Sequence, residues 1–328
     1  MKKITLRTIA AIIALLTLLP LTLISCQKAD SELEIKVYAL NGTTALGMAQ
    51  MIDNAKNDTD TMNYNIELFS ADNVDKVTTS VISGECAIAA LPTNAAARLY
   101  KKSEGKIQLL ALNTLGVLYL LDSTGKVDSL EDLKGKTVYL PGSGANPEYI
   151  TAALFAGAKI TDVTLDTSFK GADDLSTALI KGDIEYAVLP EPKVSVVTSK
   201  NQNISVALNL TDEWEKIYGK NTLVQGCLVV NTAFAEAHPA EIKKFLEDYA
   251  ASVEFIAGGS DEAINMIVDA GILPSAAVAN KALPNCNICC ITGGEMKEAI
   301  SVFYEKLYAA DKTSIAAIPD DNFYYIAK

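Results

Sequence analysis

"GECAIAALPTN", residues 84–94, reads as a short buried strand ending in a proline turn, and nearly the same phrase returns 98 residues later as "GDIEYAVLPEP", residues 182–192. Gly84 aligns with Gly182, Ala89 with Ala187, Leu91 with Leu189 and Pro92 with Pro190. What precedes each copy is also alike. In "DNVDKVTTSVISGE" (72–85) Val74, Val77, Val81 and Ile82 recur at helical spacing; in "ADDLSTALIKGD" (172–183) Leu175, Leu179 and Ile180 do so. Both runs predict short amphipathic helices, N-capped by Asp72 and by Asp173 or Asp174. Each closes on a glycine, Gly84 or Gly182, where a left-handed C-cap costs little.

A second echo lies upstream. "IKVYALNG" (35–42) and "KTVYLPG" (136–142) share Val-Tyr at an offset of 101 residues. Each is a strand running into a glycine loop and then a helix, "TTALGMAQMI" in the first case and "NPEYITAALFAG" in the second. Asn146 is the expected N-cap of the latter, with Pro147 at the first helical position, where its missing N–H is harmless. Two echoes at nearly equal offsets imply one strand–loop–helix and helix–strand–turn unit used twice. Alternating strands and helices imply largely parallel sheets covered on both faces. Ligands of such sheets bind beyond the carboxyl ends of the strands, here at the loops "NGTT", "LPTN", "PGSGAN" and "LPEP".

The N-terminus speaks to compartment. Lys2, Lys3 and Arg7 precede an apolar run from Ile9 to Ile24. That run falls short of the roughly 20 residues a membrane span needs and fits a secretory signal. It ends in Leu23-Ile24-Ser25-Cys26, the pattern of a bacterial lipoprotein signal, so residues 1–25 are expected to be removed and Cys26 lipidated. Without Lys2, Lys3 and Arg7 the chain carries 25 basic against 40 acidic residues, a net of −15. Nucleic acid and anionic membrane surfaces are therefore poor partners. The roughly 300 residues that follow suffice for two lobes with their own cores.

In "GECAIAALPTNAAARLY", "LLALNTLGVLYLL", "SLEDLKGKTVYLPGSGANPEY", "IEYAVLPEP" and "GCLVVNTAFAEAHPAEIKKFLEDY", with "PDDNFYY" near the end, the chain resembles the extracytoplasmic solute-binding proteins of ABC importers. The resemblance is to the group that includes sulfonate, nitrate, taurine and thiamine-precursor binders. It implies an α/β, two-lobed periplasmic-binding-protein-like fold of type II. Each lobe is a mainly parallel sheet flanked by helices, and the ligand cleft lies between them. It also implies a tether at 26–34, the first part of lobe 1 at 35–115, lobe 2 at 116–224, and a return segment at 225–328, mostly in lobe 1. The crossings are expected near Asn113–Gly116 and near Asn221–Gly226. The implied function is capture of a small molecule and its delivery to a membrane permease by a monomer anchored outside the cytoplasm, with no cofactor. Alternatives are an enzyme on the same fold, as in menaquinone or thiamine-pyrimidine biosynthesis, or a sensor or adhesion lipoprotein.

The candidate ligand-binding residues are Asn41, Gly42, Thr43, Thr44, Thr93, Asn94, Asn113, Thr114, Gly142, Ser143, Gly144, Asn146 and Glu191. The same residues could equally serve as caps and turns. Anion binding would rest on helix-start amides after Gly42, Thr93 and Gly144, because the mature chain's one arginine, Arg98, falls a turn past the loop. A neutral or cationic heterocycle fits as well, with Glu191 or Glu148 accepting from it. Beyond Cys26 there are five cysteines, Cys86, Cys227, Cys286, Cys289 and Cys290. "CNICC" lacks a second metal-ligand pair, so no metal site is expected. Export permits a disulfide, and Cys227 with Cys286 is the first choice. His238, the sole histidine, has no activated nucleophile beside it in sequence. Trp214 is expected to pack at a lobe edge.

Overall fold

The computed structural model describes residues 33–327. The expected signal peptide, Cys26 and all but the end of the tether lie outside the described residues. The chain opens with β1 (Ile35–Leu40), α1 (Thr43–Leu46), α2 (Ala49–Lys56), β2 (Tyr64–Phe69), α3 (Val74–Ser83), β3 (Ile88–Pro92), α4 (Thr93–Ser103) and β4 (Ile107–Leu115). There follow β5 (Leu118–Asp122), β6 (Lys136–Tyr139), α5 (Asn146–Gly157), β7 (Val163–Asp166), α6 (Ala172–Lys181), β8 (Tyr186–Pro190), α7 (Lys193–Lys200), β9 (Ser205–Asn209) and α8 (Leu210–Tyr218). It ends with β10 (Val224–Asn231), α9 (Thr232–Ala237), α10 (Pro239–Ala257), α11 (Asp261–Asp269), α12 (Ala276–Ala282), β11 (Ile288–Ile291) and α13 (Gly293–Ala310).

The strands form two sheets, ordered β2-β1-β3-β10-β4-β11 and β7-β6-β8-β5-β9. Position by position the first five strands of one match those of the other: β6 stands where β1 does, and β8 where β3 does. The repeated phrases thus occupy equivalent places in a two-lobed α/β fold.

Neither sheet is wholly parallel. β1 runs parallel to β2 and β3, and β6 parallel to β7 and β8. β10 is antiparallel to β3 and β4, and β5 antiparallel to β8 and β9. The reversed strands are those by which the chain enters one sheet from the other. The parallel strands end at the junction between lobes, so a strand that begins there must run the opposite way. The register makes this concrete: Pro92 pairs with Gly226, and Pro190 with Leu118. In both lobes the repeated proline meets the first residues of the incoming strand.

Side chains along β8 show the period of two that splits the faces. Tyr186 and Val188 join a large core that continues into the first lobe through Trp214, Leu223, Val224 and Phe303. Ala187 and Leu189 join a second core with Leu175, Leu179, Val194 and Val197 of α6 and α7. Trp214 is fully buried. Its ring lies 4.6 Å from that of Tyr218 and 5.7 Å from that of Phe303, with Nε1 donating to Thr222 Oγ1 at 3.0 Å. The expected edge packing is in fact a wedge between α8 and α13.

Three local expectations shift. Gly84 and Gly182 do close α3 and α6 in the left-handed region, with φ of 79° and 80°. Asp72, however, sits in a 3-10 turn, Ala71–Asn73, ahead of α3, and Asp173 and Asp174 lie in the first turn of α6, where their charge favours the positive end of the helix. The run "TTALGMAQMI" is split into α1 and α2 at Gly47, whose backbone is pressed so closely to α10 that a Cβ there would lie 2.6 Å from Tyr249 Oη. Helix α5 is capped by Ala145, one residue earlier than expected, which places Asn146 inside the helix and frees its side chain.

The expected Cys227–Cys286 bridge is not formed; the described cysteines are free thiols. Cys227 stands mid-strand in β10 with Sγ 3.5 Å from Leu91 O, near the Tyr304 phenol, whose pKa is raised chiefly by burial and further by Cys227. Cys286 ends the 3-10 turn Leu283–Asn285, with Sγ 3.2 Å from Ala282 O and on the side of Glu191.

Candidate ligand cleft

The loops after β1, β3, β6 and β8 sit at the carboxyl ends of their strands, between the two sheets. From the first lobe, α4 starts directly after Pro92. Thr93 is fully buried, and its Oγ1 donates to Val224 O at 2.8 Å. Asn94 Nδ2 donates to Gly144 O at 3.3 Å. From the second lobe, Asn146 Nδ2 donates to Gln225 O at 2.9 Å and to Thr93 Oγ1 at 3.2 Å. Arg98 sends Nη1 and Nη2 to Gly144 O at 3.1 and 3.0 Å. Thr93, Asn94, Gly144 and Asn146 therefore meet in one polar cluster that bridges the lobes.

The orientation of Asn146 follows from its partners. Gln225 O can only accept, and the Thr93 hydroxyl proton is already given to Val224 O, so both face the amide nitrogen. The other end, Oδ1, is buried and accepts from no described residue. That is unusual, since most buried polar side-chain atoms find a partner.

A second cluster lies wholly within the first lobe. Asn113 Nδ2 donates to Thr44 O at 3.0 Å, and Thr114 Oγ1 to Asn113 Oδ1 at 3.1 Å and Thr43 O at 3.5 Å. Thr44 Oγ1 turns back to Leu40 O at 2.8 Å. Thr43 and Thr44 are half-buried, and Ser143 is exposed. Gly144 N donates to Glu148 Oε2 at 2.6 Å, which fixes the "PGSGAN" loop, and Gly142 N donates to Phe169 O at 3.0 Å.

Two candidates point elsewhere. Asn41 Nδ2 reaches Gly271 O at 3.0 Å while its Oδ1 accepts from Gly42 N, so the Asn41-Gly42 corner is tied to the end of α11. Glu191 is 3% exposed; its carboxylate accepts from Ser195 N at 3.0 Å and Ser195 Oγ at 2.9 Å, capping the start of α7. Burial raises the Glu191 pKa, opposed by the Ser195 hydrogen bonds and by Lys281 and Asn285. Its own N–H donates to Val117 O, so it sits at the first crossing.

The structure adds residues that the sequence reasoning passed over. Gln225 Oε1 accepts from Val117 N at 2.6 Å, tying one crossing to the other. Tyr304 Oη donates to Thr93 O at 2.8 Å, and Asn287 Nδ2 to Gly116 O. The signal for Gln225 was present: it is a lone polar residue in the run "LVQGCLVV". Among the described residues no group of histidine, cysteine and acidic side chains is placed to hold a metal, and no helix is long and apolar enough to cross a membrane.

Comparison with known proteins agrees with the architecture. Residues 65–263 match the model of a family described as NMT1/THI5 like. An ABC transporter from Parabacteroides distasonis superposes with a TM-score of 0.75 at 24% identity, covering 90% of this chain and 99% of its own. The periplasmic aliphatic sulphonate binding protein SsuA from Escherichia coli gives 0.67 at 14% identity, covering 90% and 94%. A Candida albicans protein described as having the generic periplasmic binding protein fold gives 0.60 at 15%, covering 89% and 93%. Among curated proteins, none matches the chain.

Proposed function

Since the chain belongs to the NMT1/THI5-like family, we propose that it is a lipid-anchored receptor that captures a small molecule between its lobes and hands it to an ABC importer permease. The observation that best supports this is the cluster in which Asn146 and Gly144 of the second sheet's loop meet Thr93, Asn94 and Arg98 of the first. Hydrogen bonds that bridge two lobes at the ends of duplicated strands are what a closing clamp requires. In this reading lobe 1 comprises residues 35–115 and most of 225–328, lobe 2 residues 116–224, and the chain works as a monomer. Thr43, Thr44, Asn113, Thr114, Gly142 and Ser143 line the cleft around the bridging cluster, with Glu191 behind it at the crossing. Binding is favoured over catalysis because His238, the chain's single histidine, follows the end of β10 remote from the crossing and so lies away from the bridging cluster. The likeness to a sulphonate binder puts sulfonates among the ligands to be tested.

Anchoring rests on Cys26. Cys26→Ala should leave the protein unprocessed or, where it is cleaved, release it from washed membranes in cell fractionation; a cleaved variant that still partitions with membranes overturns the anchor. Ligand capture is tested by a thermal-shift screen of the full chain with X-ray scattering of each hit. A ligand at 100 times its Kd should add about 2.7 kcal/mol to stability and reduce the radius of gyration. A hit that stabilises without contraction overturns the two-lobe clamp.

A further inference from the structure

We infer that the ligand of the inter-lobe cleft presents an N–H or O–H donor to Asn146 Oδ1, and that an uncharged carboxamide-like group is read there in preference to an oxyanion. This rests on the clamp reading above and deepens it. Asn146 is 5% exposed and belongs to the first turn of the 12-residue helix α5. Its amide is held the same way round by two independent acceptors, so Oδ1 cannot exchange places with Nδ2. Both acceptors come from the first lobe or the crossing strand. Separating the lobes would release Asn146 to water, and closing them buries Oδ1 without a donor.

An unpaired buried acceptor disfavours the closed form until something donates to it. A ligand with an N–H or O–H removes that penalty and so selects closure, because a ligand shifts an equilibrium only by its differential affinity for the two states. A sulfonate, sulfate or nitrate carries acceptors alone. It would set oxygen against oxygen at Asn146 and leave the penalty in place. The helix-start amides and Arg98 could attract an anion, but they do not donate to Asn146 Oδ1, and three of the five Arg98 N–H groups already face Gly144 O and Ser314 O, the latter at 3.5 Å. Discrimination by one buried polar group of this kind is strong, since the wrong ligand leaves it unpaired.

The test compares matched pairs, acetamide with methanesulfonate and benzamide with benzenesulfonate, on the full chain by calorimetry and X-ray scattering. At least one amide should bind at least tenfold more tightly than its sulfonate partner and contract the protein, and Asn146→Leu should abolish that preference while circular dichroism stays unchanged. If Asn146→Leu does not fold, Asn146→Ala carries the same comparison. Sulfonates binding as tightly as amides, an amide preference that survives both substitutions, or no binding by any of the four overturns the inference. The clamp reading fails separately, if a ligand of any chemical class stabilises the protein without contracting it.

Discussion

Glu191 places a carboxylate where burial and hydrogen bonding act in opposite senses. Burial dominates and raises its pKa, so the folded state holds the proton more tightly than the unfolded chain. The sign follows from linkage: its contribution is most favourable below the ordinary carboxylate pKa and is lost as pH rises through the raised folded value. Glu191→Gln should therefore be stabilised relative to the parent by an amount that grows as pH rises from 4 to 8, read from Tm at each pH. A difference that is flat with pH, or that shrinks, would show that the Ser195 hydrogen bonds win. Thr93 makes a related case. As an exposed loop hydroxyl it would cost within about 0.5 kcal/mol to remove, but it is fully buried and serves Val224 O and Asn146 at once. Thr93→Val should cost about 1–3 kcal/mol, because it strands a buried carbonyl; chemical denaturation measures it.

Among the elements, the crossings are the tightest points. A Cβ at Gly226 would lie 2.4 Å from Asn113 Oδ1, and one at Gly116 would lie 2.1 Å from Thr211 Oγ1. Neither neighbour can withdraw freely, since Asn113 is tied to Thr44 and Thr211 packs against the first crossing. Gly116→Ala and Gly226→Ala should each cost about 1–3 kcal/mol by overpacking, seen as a lower urea midpoint at unchanged m-value. The alternation of strand and helix, and the twofold use of one unit, were legible because α3 and α6 each carry their own period and a closing glycine, Gly84 and Gly182. The reversal of β5 and β10 was not, because strand direction there depends on which end of the sheet the chain arrives at, and no local residue records that. Asn146 was legible as a helix-start residue but its partner was not. A shift of one residue in the cap turned it from a local cap into a bridge to Gln225. The free state of Cys227 and Cys286 was equally hidden, since composition allows the pair and no local residue records that one thiol faces Leu91 O and the other Ala282 O.

At the scale of the whole molecule, the lobes are joined by polar contacts around a continuous apolar core. Arg98 is the one charged donor in the bridging cluster, and a hydrogen bond from a charged group is worth about 1.5–3 kcal/mol. Arg98→Ala should shift the ligand-free protein toward open forms, raising its radius of gyration in scattering, with secondary structure retained. An unchanged radius would mean that the remaining contacts between the lobes, polar and apolar, set the lobe angle without Arg98.

That junction also gives the molecule an optical gauge. The chain has a single tryptophan, Trp214, and it sits where α8 of the second lobe meets α13, a helix that packs on α5 of that lobe and on β4 and β10 of the first. Its emission should be blue-shifted while the indole is sealed against Phe303 and should move to the red when the lobes part and water reaches the ring. Quenching by acrylamide should rise in step. The protein thus reports the angle between its own halves in real time, without a label, and a stopped-flow trace of that single fluorophore would time each closure as it happens.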